Sequence, residues 1–363
     1  MGSVATEPRA PPARRSRRSS GAVTLHDVAK LAGIAPITAS RAINTPAQVS
    51  PAVHQRVAEA IAKTGYVPNR LAGGLASSRS RLVAAVVPTI SGPIFAPTIE
   101  ALTESLAARG YQLMLGQSGY GAGQEGSRED ALLEAIIGRR PDGVVLTGIV
   151  HSSLGRRRLL AAGIPVVETW DLTATPIDML VGFSHAEVGR AVARFLQARG
   201  RRRLAVIIGS DDRAAQRGAA FAAEAKALGL PDVRVITVPA PSTMRAGRSA
   251  LGELLADASP AGPAAGRGRR AVDAVFCSSD LLALGVLAEA AARHVAVPKA
   301  LAVVGFGDLA FAADTLPPLT TVHINAGAIG RQAAEFIVER AEGRSVPARV
   351  IDIGFSITER ESA

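Results

Sequence analysis

The chain has 363 residues, 48% of them hydrophobic, a formal net charge of +10 and one cysteine. Such a length exceeds one ordinary domain, so two or three are expected, with ample apolar material for a large core. A lone cysteine excludes disulfides within the chain and cysteine-based metal clusters, and no uncharged apolar run approaches the roughly 18 residues of a membrane helix.

The charge is segregated. Residues 1–81 hold 12 Lys+Arg against 3 Asp+Glu, while the remaining 282 hold 29 against 28. Nearly all the excess positive charge therefore lies at the N-terminal end, the distribution expected of a segment that binds phosphates. Residues 1–22, with Arg14–Arg18 reading RRSRR among Pro, Ala and Ser, read as a disordered basic tail. They contain no apolar export-signal core, so the cytoplasm is the expected location.

From Thr24 to Asn44 the sequence TLHDVAKLAGIAPITASRAIN predicts two short helices. Thr24 and Asp27 form a capping pair, Val28, Ala29 and Leu31 give an apolar face, and Gly33 supplies the turn. Pro36 suits the first position of the second helix, where the amide it lacks would be unpaired anyway. Ala39 and Ile43 should face inward and Ile37, Ser40, Arg41 and Asn44 outward. Helix-turn-helix geometry puts the start of that second helix at base edges in the major groove, with Arg41 able to make a bidentate contact to guanine and Pro36 and Ile37 offering apolar contact. A third helix starts at Ser50-Pro51, carries Val53, Val57 and Ile61 at four-residue spacing, and closes at Gly65.

YVPNRLAGGLAS follows from Tyr66 to Ser77. With the T-L-x-D-V-A-x-x-A-G start, the S-R-x-x-N end of the second helix and the Y-x-P-N-R segment present in order, the chain resembles the LacI/GalR family of bacterial repressors. The resemblance implies a helix-turn-helix headpiece over 23–67 and a hinge helix with linker over 68–81. It also implies DNA contacts from Thr24, Thr38, Ser40, Asn44, Ser50, Tyr66, Asn69, Arg70, Leu75 and Ala76, beside Pro36, Ile37 and Arg41. Paired Leu75 side chains of a homodimer would wedge the minor groove of a double-stranded operator. Because Gly73 and Gly74 weaken a helix, the hinge should fold only against DNA and its partner.

Beyond Leu82 the pattern changes to alternating strands and helices. Strands are predicted at 82–88, 111–116, 143–148, 164–170, 178–183, 203–209, 234–239, 274–279 and 301–307, with helices closed by Gly110, Gly163, Gly200 and Gly229 between several of them. Repeated βαβ units predict an α/β fold of parallel sheets, and nine strands suit two similar lobes better than one. The family motifs AGIPVV (162–167), SSDLLALG (278–285), VVGFGD (303–308) and PPLTTV (317–322) extend the resemblance to the end of the chain. They imply a two-lobed core over 82–363, like periplasmic sugar-binding proteins, for effector binding and dimerisation. The first lobe is expected at 82–170 with 322–341 returning to it, and an effector in the cleft between lobes.

PDGVVLTG, AGIPVVETWD, IDMLVGFSH and IDIGFSIT are similar to the gluconate-utilisation repressors of the family, and no leucine heptad for a tetramer-forming coil follows them. Ala35 departs from the serine or threonine common in relatives, which puts one phosphate contact in doubt. Ser279 and Gly307 stand where neutral-sugar relatives often carry asparagine and aspartate, which argues for a different ligand. Arg217 matches the arginine that many relatives use on the effector, and Arg213 lies one helical turn earlier. An acidic sugar or sugar phosphate is thus expected, contacted by Arg217 and Arg213 through forked hydrogen bonds, with Thr147, Asp211, Ser242 and Ser279 on hydroxyls and Phe95, Glu168 and Trp170 completing the effector set.

Two other classes are disfavoured. An exported sugar-binding protein would share the core but needs a signal peptide and no basic headpiece. A nucleotide-dependent enzyme would need G-x-x-x-x-G-K-[ST] or a full dinucleotide fingerprint, and Gly305-Phe306-Gly307 lacks the third glycine. His151, His185, His294 and His323 show neither metal nor triad spacing and read as structural or solvated, and Cys277 reads as a buried apolar residue. No cofactor, metal or catalytic residue is expected.

Overall fold

The computed structural model describes residues 23–68, 79–120, 127–149, 152–256 and 271–363. The basic tail, the hinge positions Asn69, Arg70, Gly73, Gly74, Leu75 and Ala76, and His151 lie outside the described residues. The chain divides into two compact units, Met1–Arg79 and Ser80–Ala363.

In the first unit local signals set the helices. Thr24 Oγ1 donates to Asp27 Oδ2 at 2.7 Å, and the same carboxylate accepts from the Thr24 amide at 2.8 Å, a capping box that opens α1 (Leu25–Ala32). Gly33 ends it with φ 63°, a left-handed conformation that favours glycine. Pro36 sits in the first turn of α2 (Pro36–Asn44), and Ser50 accepts from the Val53 amide to start α3 (Pro51–Thr64). Val28, Ala32, Ala42, Val57 and Ala60 form the buried centre, with Ile43, Val53 and Ile61 packed around it. Leu31 does not join them but is 53% exposed, and Ala42 rather than Ile43 is fully buried beside Ala39. The buried stripe on α1 runs through Val28, Ala29 and Ala32, which places Leu31 about a quarter-turn or more away from it.

The second unit contains two six-stranded sheets. The first is built from β1 (Leu82–Val87), β2 (Gln112–Gln117), β3 (Gly143–Thr147), β4 (Val166–Thr169), β5 (Met179–Gly182) and β11 (Val350–Asp352), in the order β11-β5-β4-β3-β1-β2, all parallel. The second is built from β6 (Leu204–Gly209), β7 (Arg234–Val238), β8 (Ala274–Cys277), β9 (Ala302–Phe306), β10 (Thr320–His323) and β12 (Ser356–Thr358), in the order β12-β10-β9-β8-β6-β7. Here β12 runs antiparallel to β10, with Val322 opposite Ile357. Nine strands match the predicted runs. The other three, β10, β11 and β12, are only three or four residues long and carry too little periodicity to be read locally.

Sheet membership corrects the expected lobe boundary. The first lobe does not end at 170, because β5 belongs to its sheet, and its return does not begin at 322, because β10 belongs to the other. The chain crosses between lobes after β5, after β10 and again between β11 and β12. A strand of four residues carries no signal of which sheet it enters.

Helix packing is tightest where glycine allows backbones to meet. In the first lobe α4 (Ala96–Ala107) lies against α11 (Ala326–Ala341), and a Cβ on Gly330 would stand 2.3 Å from the Thr98 carbonyl oxygen and 2.9 Å from the Leu102 amide. In the second, α7 (His185–Ala198) lies against α8 (Asp212–Ala227), and a Cβ on Gly189 would stand 2.2 Å from the Arg217 carbonyl oxygen and 2.9 Å from the Phe221 amide. Each contact involves the helix after the first strand of its lobe, so the two lobes repeat one device. A third such pair is α9 (Met244–Ala256) with α10 (Asp280–Ala292), which meet at Gly247 and Gly285.

Candidate functional site

The outer face of α2 presents Pro36, Ile37, Arg41 and Asn44 to solvent, Ile37 at 62% exposure, with Thr38 and Ser40 half-buried beside them. Asn44 Nδ2 donates to Ser40 Oγ at 3.3 Å. An isoleucine so exposed, next to an arginine on a helix whose other side packs through Ala39 and Ala42, is a surface shaped for contact. Arg56 of α3 donates to the carbonyls of Ala32 and Gly33 and so ties α3 to the end of α1, a role that no sequence signal marked.

In the second unit a cleft opens at the C-terminal ends of β1, β3, β6 and β8. In both sheets these strands flank the point where strand order reverses, the place where open α/β sheets bind ligands. One chamber encloses about 640 Å³ when the open solvent at its mouth is included. Its first-lobe walls are Gly92–Phe95, Tyr120 and Trp170, and its second-lobe walls include His185, Arg217, Ser242, Ser279 and Phe306. A more polar chamber adjoins it, lined by Ser118, Glu129, Thr147, Asp171 and Asp212. Tyr120, Asp211 and Arg213 line both chambers.

Arg217 is 5% exposed and reaches the first chamber from α8. Its Nη1 donates to His185 Nδ1 at 2.9 Å, its Nη2 donates to the Ser278 carbonyl at 3.0 Å, and the guanidinium lies 3.9 Å over the Phe306 ring. Its buried Nε has no hydrogen-bond partner, and no carboxylate among the described residues pairs with it. Burial lowers its pKa to about 10, which still leaves it charged at neutral pH. An arginine donates only, so His185 Nδ1 must accept, and the ring proton sits on Nε2, which donates to the Trp170 carbonyl at 2.8 Å. Burial, then the Arg217 charge, hold the imidazole well below its usual pKa, so it is neutral.

Trp170 has φ 64°, unusual for a non-glycine residue, and is anchored at both ends. Its indole donates to Thr98 Oγ1 at 3.0 Å, and its ring meets Phe95 and Phe183 edge-on at 5.1 and 6.0 Å. Arg213 is less buried: it reaches the Thr147 carbonyl at 3.4 Å and lies 5.3 Å from the Phe95 ring centre.

A model of the lacI family of bacterial regulatory proteins matches residues 24–69, and a periplasmic binding protein-like domain matches 193–363. The HTH-type transcriptional regulator GntR of Pseudomonas aeruginosa is 37% identical over 351 residues, covering 96% of this chain and 98% of its own. The chain belongs to the lacI family. It is accordingly a DNA-binding transcriptional regulator, like the regulators it matches. A lacI-family regulator from Silicibacter pomeroyi superposes with TM-score 0.85 at 29% identity, over 94% of this chain and 99% of that one. The transcription regulator GntR from Chromobacterium violaceum superposes with TM-score 0.70 at 35% identity, over 77% and 98%.

Within this lacI-family core the expected effector residues do not all meet. Phe95, Trp170, Asp211, Arg213, Arg217, Ser242 and Ser279 line the first chamber, and Thr147 lines the second. Glu168 lines neither: it is wholly buried in β4, where its carboxylate accepts from the Ile177 amide at 2.8 Å. Asp211 and Ser279 also cap α8 and α10, accepting from the Ala214 and Leu282 amides, so part of their acceptor capacity is used. Trp170 forms a wall of the chamber rather than a free stacking platform. In the headpiece, Thr24 is committed to its capping box and Tyr66 packs against the three-helix centre.

His185, Tyr120 and Phe306 were not expected in the cleft. His185 follows Phe183 in the GFSH run, but nothing at that spacing shows that it meets Arg217, 32 residues away. Cys277 is buried, and burial raises its thiol pKa, as a small apolar residue requires.

Proposed function

We propose that this regulator represses a carbohydrate-catabolism operon and is controlled by a small acidic effector, gluconate or a related sugar acid or sugar phosphate, bound in the interlobe cleft. It acts as a homodimer on double-stranded operator DNA, reading base edges with Pro36, Ile37 and Arg41 and using Asn44, Ser40, Thr38 and Ser50 nearby. The observation that carries the effector reading is Arg217. A guanidinium buried at the wall of the cleft, with only two neutral acceptors for its five N–H donors and its Nε unpaired, is costly unless an anion completes it. Similarity to the gluconate-utilisation branch supports the same class.

Within the chamber the carboxylate meets Arg217, while Ser242, Ser279 and Asp211 face the hydroxyls. Arg213 and Thr147 lie on the side of the polar chamber and suit the far end of the ligand. Calorimetry of the full chain should show gluconate binding that Arg217→Ala abolishes and Arg217→Lys restores in part, since lysine keeps the charge but loses the fork. Gel shifts on operator DNA with and without gluconate test the response. Tight binding of a neutral sugar with gluconate and its phosphate silent overturns the effector class and leaves the DNA-binding regulator standing.

A further inference from the structure

We propose that His185 is the residue that makes the cleft selective for an anion, by giving Arg217 a neutral hydrogen-bond acceptor where a carboxylate would saturate it. The inference rests on the reading that Arg217 receives the acidic group of the effector. His185 lines the same chamber beside Arg217, and its imidazole takes the place at the guanidinium that a carboxylate would otherwise fill.

A buried arginine normally takes a carboxylate partner, because both charges are then compensated at once. Arg217 instead makes its two hydrogen bonds to an imidazole nitrogen at 2.9 Å and a backbone carbonyl at 3.0 Å, neither of which carries a formal charge. The carboxylates nearest in effect, Asp211 and Asp171, act on it through space, and Asp211 spends one oxygen on the Ala214 amide. The positive charge is held in place with no carboxylate hydrogen-bonded to it among the described residues and with Nε unused.

His185 can do this because both ring nitrogens are committed. Nδ1 accepts from Arg217, Nε2 donates to the Trp170 carbonyl at 2.8 Å, and the ring lies edge-on to Phe183 at 4.7 Å. Trp170 is fixed in turn by its bond to Thr98, whose hydroxyl donates to the Ala326 carbonyl at 2.9 Å. The histidine is thus clamped from the first lobe while it aims an arginine of the second. Replacing it by aspartate would put a carboxylate oxygen close to the present position of Nδ1, and the pair would then be neutral before any ligand arrived. An incoming carboxylate would gain less and would share the site with a like charge.

The test compares His185→Asp with His185→Asn in the full chain. The two side chains have nearly one shape, both lose the bond to Trp170, and either can offer Arg217 an oxygen, charged in aspartate and neutral in asparagine. Calorimetry with gluconate and with its neutral amide, gluconamide, should show gluconate at least about tenfold weaker in His185→Asp than in His185→Asn, as loss of a charge-assisted bond implies, with gluconamide alike in both. A role confined to packing would move both variants and both ligands together. Equal gluconate affinity in the two variants overturns the role of His185 while leaving the effector class intact. Wild-type binding of gluconamide with gluconate silent overturns the effector class, and the inference with it. The wild-type protein offers a second measurement that needs no variant to fold. Nitrogen-15 spectra should show the His185 ring neutral, with Nδ1 unprotonated, and an imidazolium or an Nδ1–H ring overturns the proposal.

Discussion

Placing a methyl group at Gly189 would test how Arg217 is held. The added Cβ would lie 2.2 Å from the Arg217 carbonyl oxygen, against 3.0–3.4 Å for the tightest ordinary contacts, and 2.9 Å from the Phe221 amide. Both obstacles are backbone, so no rotamer change relieves them, and α8 must retreat from α7 by about 1 Å with Arg217 on it. Overpacking of this kind costs about 1–3 kcal/mol, offset by the ~0.5–1 kcal/mol that alanine gains over glycine within a helix. Gly189→Ala should therefore lose about 1–2 kcal/mol in a urea titration. It should also weaken gluconate binding, because the Arg217 bonds to His185 and Ser278 are strained together. Gly252→Ala is the control. Its Cβ would meet the flexible end of Arg293 at 3.3 Å, so the helix gain of ~0.5–1 kcal/mol should be expressed there and ligand binding unchanged. A Gly189→Ala protein as stable as wild type, with full affinity, would refute the claim that backbone contact between α7 and α8 positions the guanidinium.

In the headpiece, Arg41→Ala should weaken specific operator binding by about 1–3 kcal/mol in gel-shift titrations while the second unit keeps its melting behaviour, and unchanged affinity would remove Arg41 from the reading face. Asp280 gives a pH test. It is wholly buried, with its oxygens accepting from Thr321 and the Leu309 amide, and burial raises its pKa from 3.8 to about 6. Because the folded pKa lies above the unfolded one, the folded state holds the proton more tightly, and the cost of ionising it grows as pH rises from about 4 and is complete above about 6. Between pH 5 and 7.5 wild type should lose about 1–2 kcal/mol relative to Asp280→Asn in paired denaturation curves, and parallel pH profiles would show that Asp280 does not titrate in this range.

Much of this protein is written locally. The Thr24–Asp27 box, Gly33, Pro36 and Ser50 act over three or four residues, so the three headpiece helices follow from the sequence alone. The same holds for the aliphatic runs that form β1 and β6, and the motif around Arg217 marks that residue for the cleft, whose wall it joins. What only the tertiary structure decided are relations between distant residues. The strands β5 and β10 enter different sheets, and nothing within either run says which, since membership depends on where the chain crosses. Glu168 and Trp170 lie two residues apart, but Glu168 turns into the β4 side and Trp170, at φ 64°, leaves the strand to wall the cleft. His185 reads as an ordinary structural histidine until the fold sets its ring between Trp170 and Arg217. Capping and periodicity are settled by the chain's own short-range geometry, whereas the partner of a buried charge is chosen by the packing of α7 against α8, which no window of sequence contains.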